Sequence, residues 1–224
     1  MPKVLTVNVA HPRPNPDNGK RVTGIDKRPV GAAVEVRSPG PRRGGLGSGL
    51  VGDVIGNSKH HGGDDQAVYA YAREDLDNWQ LTLDRELTNG MFGENLTTEG
   101  IDVTNAVIGE RWRIGAGELE LEVTRPRTPC RTFAAFLEIN GLMKTFTRAG
   151  DPGAYLRVVH PGHVSAGDSI EVVERPDHGI TVGFVFRALT GESELLPEIL
   201  RAEALAAELK ELASRRVGAA GLRT

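Results

Sequence analysis

Apolar residues in the first three-quarters of this chain come in short runs, and glycine or proline closes almost every one of them. Runs of that length suit the strands of a half-buried sheet and are too brief for packed helices. They lie at Val4 to Val9, Ala32 to Arg37, Ala67 to Tyr71, Arg111 to Ile114, Ala154 to Val159 and Ser169 to Val173. The clearest strand is Glu118 to Thr124, where Leu119, Leu121 and Val123 alternate with Glu118, Glu120, Glu122 and Thr124. Gly115-Ala116-Gly117 separates it from Arg111 to Ile114, which predicts a hairpin with one wet face. With 28 glycines and 13 prolines in 224 residues, the chain has turns enough for a barrel or sandwich of many short strands.

Two helices interrupt that pattern. Leu76, Trp79, Leu83 and Leu87 recur at helical spacing behind Glu74 and Asp75, which favour a helix N-terminus, and Phe133, Phe136 and Leu137 predict a second helix just after Cys130. Beyond Pro176 the period lengthens to that of a helix, first through Val182, Val185, Phe186 and Leu189, then Leu195 and Ile199, then Leu205, Leu209 and Leu212. Three short helices close the chain, with Gly191 as the stop of the first and Ser193 as the N-cap of the second. The domain reading is a β domain over 1–176 and a helical extension over 177–224, its tail from Val217 to Thr224 fraying.

Lys plus Arg number 27 and Asp plus Glu 30, a net charge of −3, so no long-range field gathers nucleic acid or anionic membrane. No apolar run approaches the ~18 to 20 residues that span a bilayer. A single cysteine, Cys130, excludes an intramolecular disulfide and any iron–sulfur cluster held by four cysteines of this chain, and suits a reducing, cytoplasmic setting.

The densest chemistry is Arg125-Pro126-Arg127-Thr128-Pro129-Cys130-Arg131, in which prolines stiffen the backbone and arginines surround the thiol. Cations lower a thiol pKa and make a nucleophile or metal ligand, while a free cysteine with no such task simply packs; both readings stand on these residues alone. Lys59-His60-His61-Gly62-Gly63-Asp64-Asp65 reads either as a polar turn or as a place where glycines bring backbone close to a ligand and His61 donates to anionic oxygens. In Phe92-Gly93-Glu94-Asn95, Asn95 offers a donor and an acceptor to a heterocycle edge, or caps a turn. His160 and His163 are split by Pro161 and Gly162 and share no helical face for zinc, and the glycine-rich Gly44 to Gly52 lacks the ending of a P-loop and reads as a mobile loop. Glu203, Glu208, Lys210, Glu211, Arg215 and Arg216 alternate in sign as a solvated helix face does.

In order, Gly52-Asp53, His60-His61-Gly62-Gly63, Gln66 to Tyr71, Phe92-Gly93-Glu94-Asn95-Leu96-Thr97-Thr98, Ile108-Gly109-Glu110, Ile114-Gly115 and Pro126-Arg127-Thr128-Pro129-Cys130 strongly resemble the MOSC family, named for the C-terminal domain of molybdenum cofactor sulfurase. The resemblance spans roughly Val30 to Arg175, and the helices after His178 look like the extension of stand-alone bacterial members associated with resistance to N-hydroxylated purines. Asn57 departs from it, since many relatives carry Asp there. The resemblance implies an α+β, mainly β fold: an antiparallel MOSC-type β-barrel over 1–176 with a three-helix appendage over 177–224. It implies the molybdenum cofactor (molybdopterin), with Cys130 ligating molybdenum or carrying sulfur, and Lys59, Arg125 and Arg127 offsetting the pterin phosphate. His61 and Asn95 become further cofactor contacts, and pyridoxal phosphate binding is associated with the family at large. The implied function is an oxidoreductase that reduces N-hydroxylated bases or related N-oxygenated compounds. Its alternative is a sulfur carrier or cofactor-handling protein with a persulfide on Cys130. The implied partners are a separate flavin or iron–sulfur reductase or else a cysteine desulfurase, with a small-molecule substrate and a possible homodimer.

Overall fold

The computed structural model describes residues 1–221. In chain order its elements are β1 (Lys3–Ala10), β2 (Arg13–Pro14), β3 (Val22–Thr23), β4 (Lys27–Val30), β5 (Val34–Val36), β6 (Val68–Ala72), α1 (Arg73–Leu83), β7 (Leu96–Glu99), β8 (Arg111–Ile114), β9 (Glu120–Pro126), α2 (Arg131–Leu137), α3 (Leu142–Ala149), β10 (Ala154–His160), β11 (Gly162–Val164), β12 (Ile170–Glu174), α4 (Val182–Thr190), α5 (Leu196–Ile199) and α6 (Ala207–Gly221). Eight strands form one sheet in the order β12-β8-β9-β10-β6-β7-β1-β4, antiparallel throughout except at β6–β7. That parallel pair is joined through α1, the crossover a parallel pair requires.

The fold is thus α+β with a large, mostly antiparallel sheet. The strand ladders do not close into a barrel: β12 and β4 are the edges of the sheet. An isolated bridge joins Lys3 of β1 to Ser169, just ahead of β12, flanked by the Val4 N–H donating to the Asp168 carbonyl at 2.8 Å. Two smaller pairs, β11–β5 and β2–β3, stand beside the sheet.

One apolar core lies between the sheet and the C-terminal helices, where Trp112, Leu121 and Val123 meet Val182, Val185, Ile199 and Leu205. Thr181 caps α4 by accepting from the Phe184 N–H at 3.1 Å, and Gly191 ends it. Ser193 does not cap the next helix with its side chain and opens a short 3-10 turn instead. Of the tail from Val217 to Thr224, residues up to Gly221 belong to α6, and residues 222–224 lie outside the described ones. A second, aromatic core gathers Tyr69, Tyr71, Trp79, Phe92, Phe133 and Phe146 under α1, α2 and α3. Leu87 joins it from beyond α1, which stops at Leu83 where Asp84 turns left-handed (φ 47°).

The hairpin β8–β9 forms as expected, and its polar face is wet near the turn, where Arg113 and Glu118 are exposed. Farther along β9, Glu122, Thr124 and Arg125 are buried. Beyond Val123 the strand bulges: Val123 pairs with Leu156 and Arg125 with Tyr155, so two steps along β9 match one along β10. A bulge reverses the alternation of side chains. Leu119, Leu121 and Val123 therefore enter the apolar core, while Arg125 turns to the other face beside Tyr155.

The chain segments around that face are tied by a fully buried carboxylate, Asp53. Lys27 donates to it at 2.6 Å, Ser48 Oγ at 2.7 Å, Asn95 Nδ2 at 2.9 Å and the Ala10 N–H at 2.8 Å. Burial opposes its ionisation, but Lys27 and these donors outweigh that and hold the carboxyl below its ordinary value. A carboxyl depressed in this way adds stability above the unfolded-state pKa, near 4, and loses it as the pH falls through the lower folded value. Asp53→Ala, which leaves the Lys27 ammonium buried and unpaired, is expected to cost about 3–5 kcal/mol of unfolding free energy in urea at neutral pH. The deficit should shrink below about pH 4, where the wild type loses the same ionised group.

Candidate functional site

A cavity of about 640 Å³ opens where the bulged face of the sheet meets three irregular segments, within the size range usual for ligand sites. Its floor is a row across three neighbouring strands: Tyr69 on β6, Tyr155 on β10 and Arg125 on β9 are directly paired in register. The rings of Tyr69 and Tyr155 are 4.9 Å apart. Its walls are the strap around β2 and β3, including Asn15, Asp17 and Val22, and the loop Val54 to Gly62, which packs against that strap at Gly24 and Gly56. Cys130 and Thr132 contribute from the start of α2, and Glu208 from the first turn of α6. The strap is pinned across the mouth by Asn15 Nδ2 donating to Thr132 Oγ1 at 3.1 Å and by the Asp17–Arg131 ion pair at 2.9 Å.

Five cationic side chains, Lys27, Arg42, Arg125, Arg127 and Arg131, line the cavity against two carboxylates, Asp17 and Glu208. Asp53 behind the wall matches Lys27, so four arginines face two carboxylates on a chain whose net charge is −3. Arg127 is buried and caged by aromatic rings, its guanidinium carbon 4.0 Å from the centre of Phe133 and 5.3 Å from that of Tyr69, and it donates to the Phe92 carbonyl at 2.6 Å. Burial opposes its charge, yet Tyr69, Cys130 and Tyr155 hold it above its ordinary value. Burial pushes Arg125 down to about 10, still cationic at neutral pH. The Nε of Arg125 and the Oε1 of Gln66, both from wall residues, are buried without a hydrogen-bond partner.

Of the residues expected from sequence, Cys130, His61, Arg125 and Arg127 come together on this cavity. Cys130 is a half-buried free thiol at the N-cap position of α2. Lys59 is exposed and does not line the cavity. Asn95 is buried away from it and spent on the protein itself: its Oδ1 accepts from the Tyr69 N–H at 3.1 Å, and its Nδ2 donates to Asp53. Gly62, which lines the cavity, and Gly63 permit a close crossing of two loops. Both have positive φ, and a Cβ would lie 2.7 Å from the Gly47 carbonyl oxygen at Gly62 and 2.8 Å from the Arg42 nitrogen at Gly63. The glycine-rich segment before them is likewise fixed, by the Gly63 N–H donating to Gly47 and the Gly49 N–H to Ala67.

Arg42, Tyr155 and Glu208 were not legible as site residues. Arg42 sits in a featureless Pro-Arg-Arg-Gly turn, and Glu208, read as part of a solvated helix face, pairs with Arg42 and Arg125 instead. Arg125 and Arg127 were candidates by charge and position in the motif, but only the bulge turns Arg125 to the cavity.

The donor set fits an anionic ligand that brings most of its own metal donors. No group of three or more His, Cys, Asp or Glu residues able to hold a metal ion exists among the described residues, so one thiolate is what the chain offers. Pyridoxal phosphate does not fit: Lys27, the lysine on the wall, is committed to Asp53 and not free to form a Schiff base. No helix among the described residues is long and apolar enough to cross a membrane.

Burial among Arg127, His60, Arg125 and Arg42 pushes His61 down to about 4, so its imidazole is neutral at pH 7. A histidine whose pKa falls on folding binds fewer protons folded than unfolded between about 4 and 6.5, and stability drops as the pH falls through that window. A proton NMR titration of the His61 ring should show a midpoint near 4. His61→Gln should flatten the loss of unfolding free energy between pH 7 and pH 5.

Comparison with known proteins agrees with this architecture. The MOSC domain model matches residues 57–171, about half of the chain. The uncharacterized protein YflK of Bacillus subtilis (strain 168) is 33% identical over 199 residues, covering 88% of this chain and 85% of its own length. A protein named Reductase from Gibberella moniliformis (strain M3125 / FGSC 7600) is 33% identical over 132 residues, 58% of this chain but 23% of that protein. The crystal structure of YiiM from Geobacillus stearothermophilus superposes with a TM-score of 0.76 at 25% identity, covering 96% of this chain and 99% of that one. The domain match over more than half of the chain, together with 33% identity to YflK over most of both proteins, shows that this chain belongs to the MOSC domain family.

Proposed function

We propose that the protein is a molybdenum-cofactor-dependent oxidoreductase that reduces N-hydroxylated bases or related N-oxygenated compounds. The observation that carries this reading is the convergence of a single accessible thiol with a cationic wall on one cavity. When bound, the cofactor supplies the oxygen-accepting, two-electron chemistry that cleaving an N–O bond requires. Cys130 would provide the soft protein ligand, and Arg42, Arg125 and Arg127 would hold the anionic phosphate. The reaction takes an N-hydroxyl compound, two electrons and two protons to the amine and water. On the protein side, Tyr155 stays protonated because burial raises its pKa, and the neutral His61 imidazole offers one hydrogen-bond donor and one acceptor to the substrate.

A lone cysteine cannot hold a relay cluster, so electrons come from a separate flavin or iron–sulfur reductase, in a cytoplasmic setting. The relative named Reductase supports a redox reading.

The test is to make the chain in hosts with and without cofactor biosynthesis, measure molybdenum and pterin, and assay an N-hydroxylated purine with reduced viologen as donor. Turnover is expected from the loaded protein alone. Cys130→Ser should keep the circular dichroism spectrum and lose turnover by on the order of a hundredfold or more. A cyanide-releasable sulfur on Cys130 after incubation with a cysteine desulfurase, without amine formation by loaded protein, would favour the sulfur-carrier role instead.

A further inference from the structure

The cationic wall already holds an anion of the chain's own. Glu208, in the first turn of α6, sends one carboxylate oxygen to Arg125 and the other to Arg42 at 2.6 Å. The partners are unequally free: the Arg125 side chain is 8% exposed and that of Glu208 is 38% exposed. Glu208 can turn to solvent at small cost, whereas Arg125 is fixed on β9 and must always face an anion. The match is also incomplete. Both carboxylate oxygens are engaged while the Nε of Arg125, on a residue 7% exposed overall, lacks an acceptor. One carboxylate charge faces two guanidiniums, where a phosphate brings up to two charges and three acceptor oxygens. There is room for the helix end to move, since a second cavity of about 670 Å³ lies beside it, lined by Arg42, Gly62, Glu203, Ala207 and Lys210.

We propose that Glu208 is a tethered competitor for a phosphate-type dianion: it holds the position between Arg42 and Arg125 and yields it to an incoming phosphate, which loosens the first turn of α6. The inference deepens the functional reading above and rests on it only for the identity of that anion as the cofactor's phosphate. The apparent affinity for phosphate is then reduced by the fraction of time Glu208 occupies its place. Cofactor occupancy and the C-terminal helix become linked through one ion pair.

The experiment titrates the full-length protein with inorganic phosphate at constant ionic strength. Glu208→Gln is expected to bind phosphate about fivefold or more tightly than wild type, the lower end of typical coupling between sites. Asp17→Asn removes an equal charge from the wall but pairs with Arg131 instead, and should gain less than about twofold. Equal or weaker binding by Glu208→Gln, an equal gain in Asp17→Asn, or no phosphate binding by any of them overturns the proposal. Hydrogen exchange on the wild type is a second reading that needs no variant: phosphate should speed exchange of amides 207–212, and slower or unchanged exchange overturns it. If Glu208→Gln behaves as expected but no host yields molybdenum or pterin, the functional reading fails and the competitor stands. If the protein loads cofactor but its phosphate affinity ignores Glu208, the competitor fails and the functional reading stands.

Discussion

A single buried carboxylate, Asp53, holds together the pieces of chain that wall the cavity. It binds Lys27 from β4, Ser48 from the glycine-rich segment, Asn95 ahead of β7 and the last amide of β1. A charge taken out of water costs several kcal/mol unless it is paired and its lone pairs are used. Four donors from four segments satisfy this one, so none can shift without exposing the cost. The effect reaches the ligand side: Asn95 also accepts from the backbone of Tyr69, whose ring forms part of the cage around Arg127. Fold stability and the position of a cavity cation are thereby linked through two side chains.

The cavity inverts the electrostatics of the molecule. The chain as a whole is nearly balanced and slightly acidic, yet the cavity gathers four arginines against two carboxylates, with its lysine already matched by Asp53. Arg127 tolerates burial because Phe133, Tyr69 and Phe146 present π faces to its guanidinium and the Phe92 carbonyl accepts from it. Arg125 lacks such a cage and depends on Glu208. Two arginines two residues apart in sequence thus differ in kind: one is locked in place by aromatic packing, the other by a replaceable anion.

Much of the architecture was legible from the residues in order. Strands recur where β-branched and aromatic runs end in glycine, α1 follows the spacing of Leu76 and Trp79, and Gly191 stops α4, because each depends on contacts between near neighbours in the chain. Less visible were α3, and β7 beyond the Phe-Gly-Glu-Asn turn, whose Glu94 carboxylate binds the Gly90 and Phe92 amides instead of a ligand. Lys59 carried the right charge in the right motif but projects into solvent, since charge alone does not say which way a loop residue faces.

What the sequence by itself determined was the set of short strands and closing helices, the lone thiol flanked by arginines, and the ordered motifs that mark the family. Only the tertiary structure decided that the sheet stays open at β12 and β4, that a bulge turns Arg125 away from the core, and that Arg42, Tyr155 and Glu208 meet it there. The physical reason is range. Periodicity and turn chemistry are set by residues a few positions apart, whereas Arg125 and Glu208 are 83 positions apart and Tyr69 and Tyr155 meet only through strand register. A one-residue slip in that register reverses every side chain beyond it, and no local pattern records where the slip occurs.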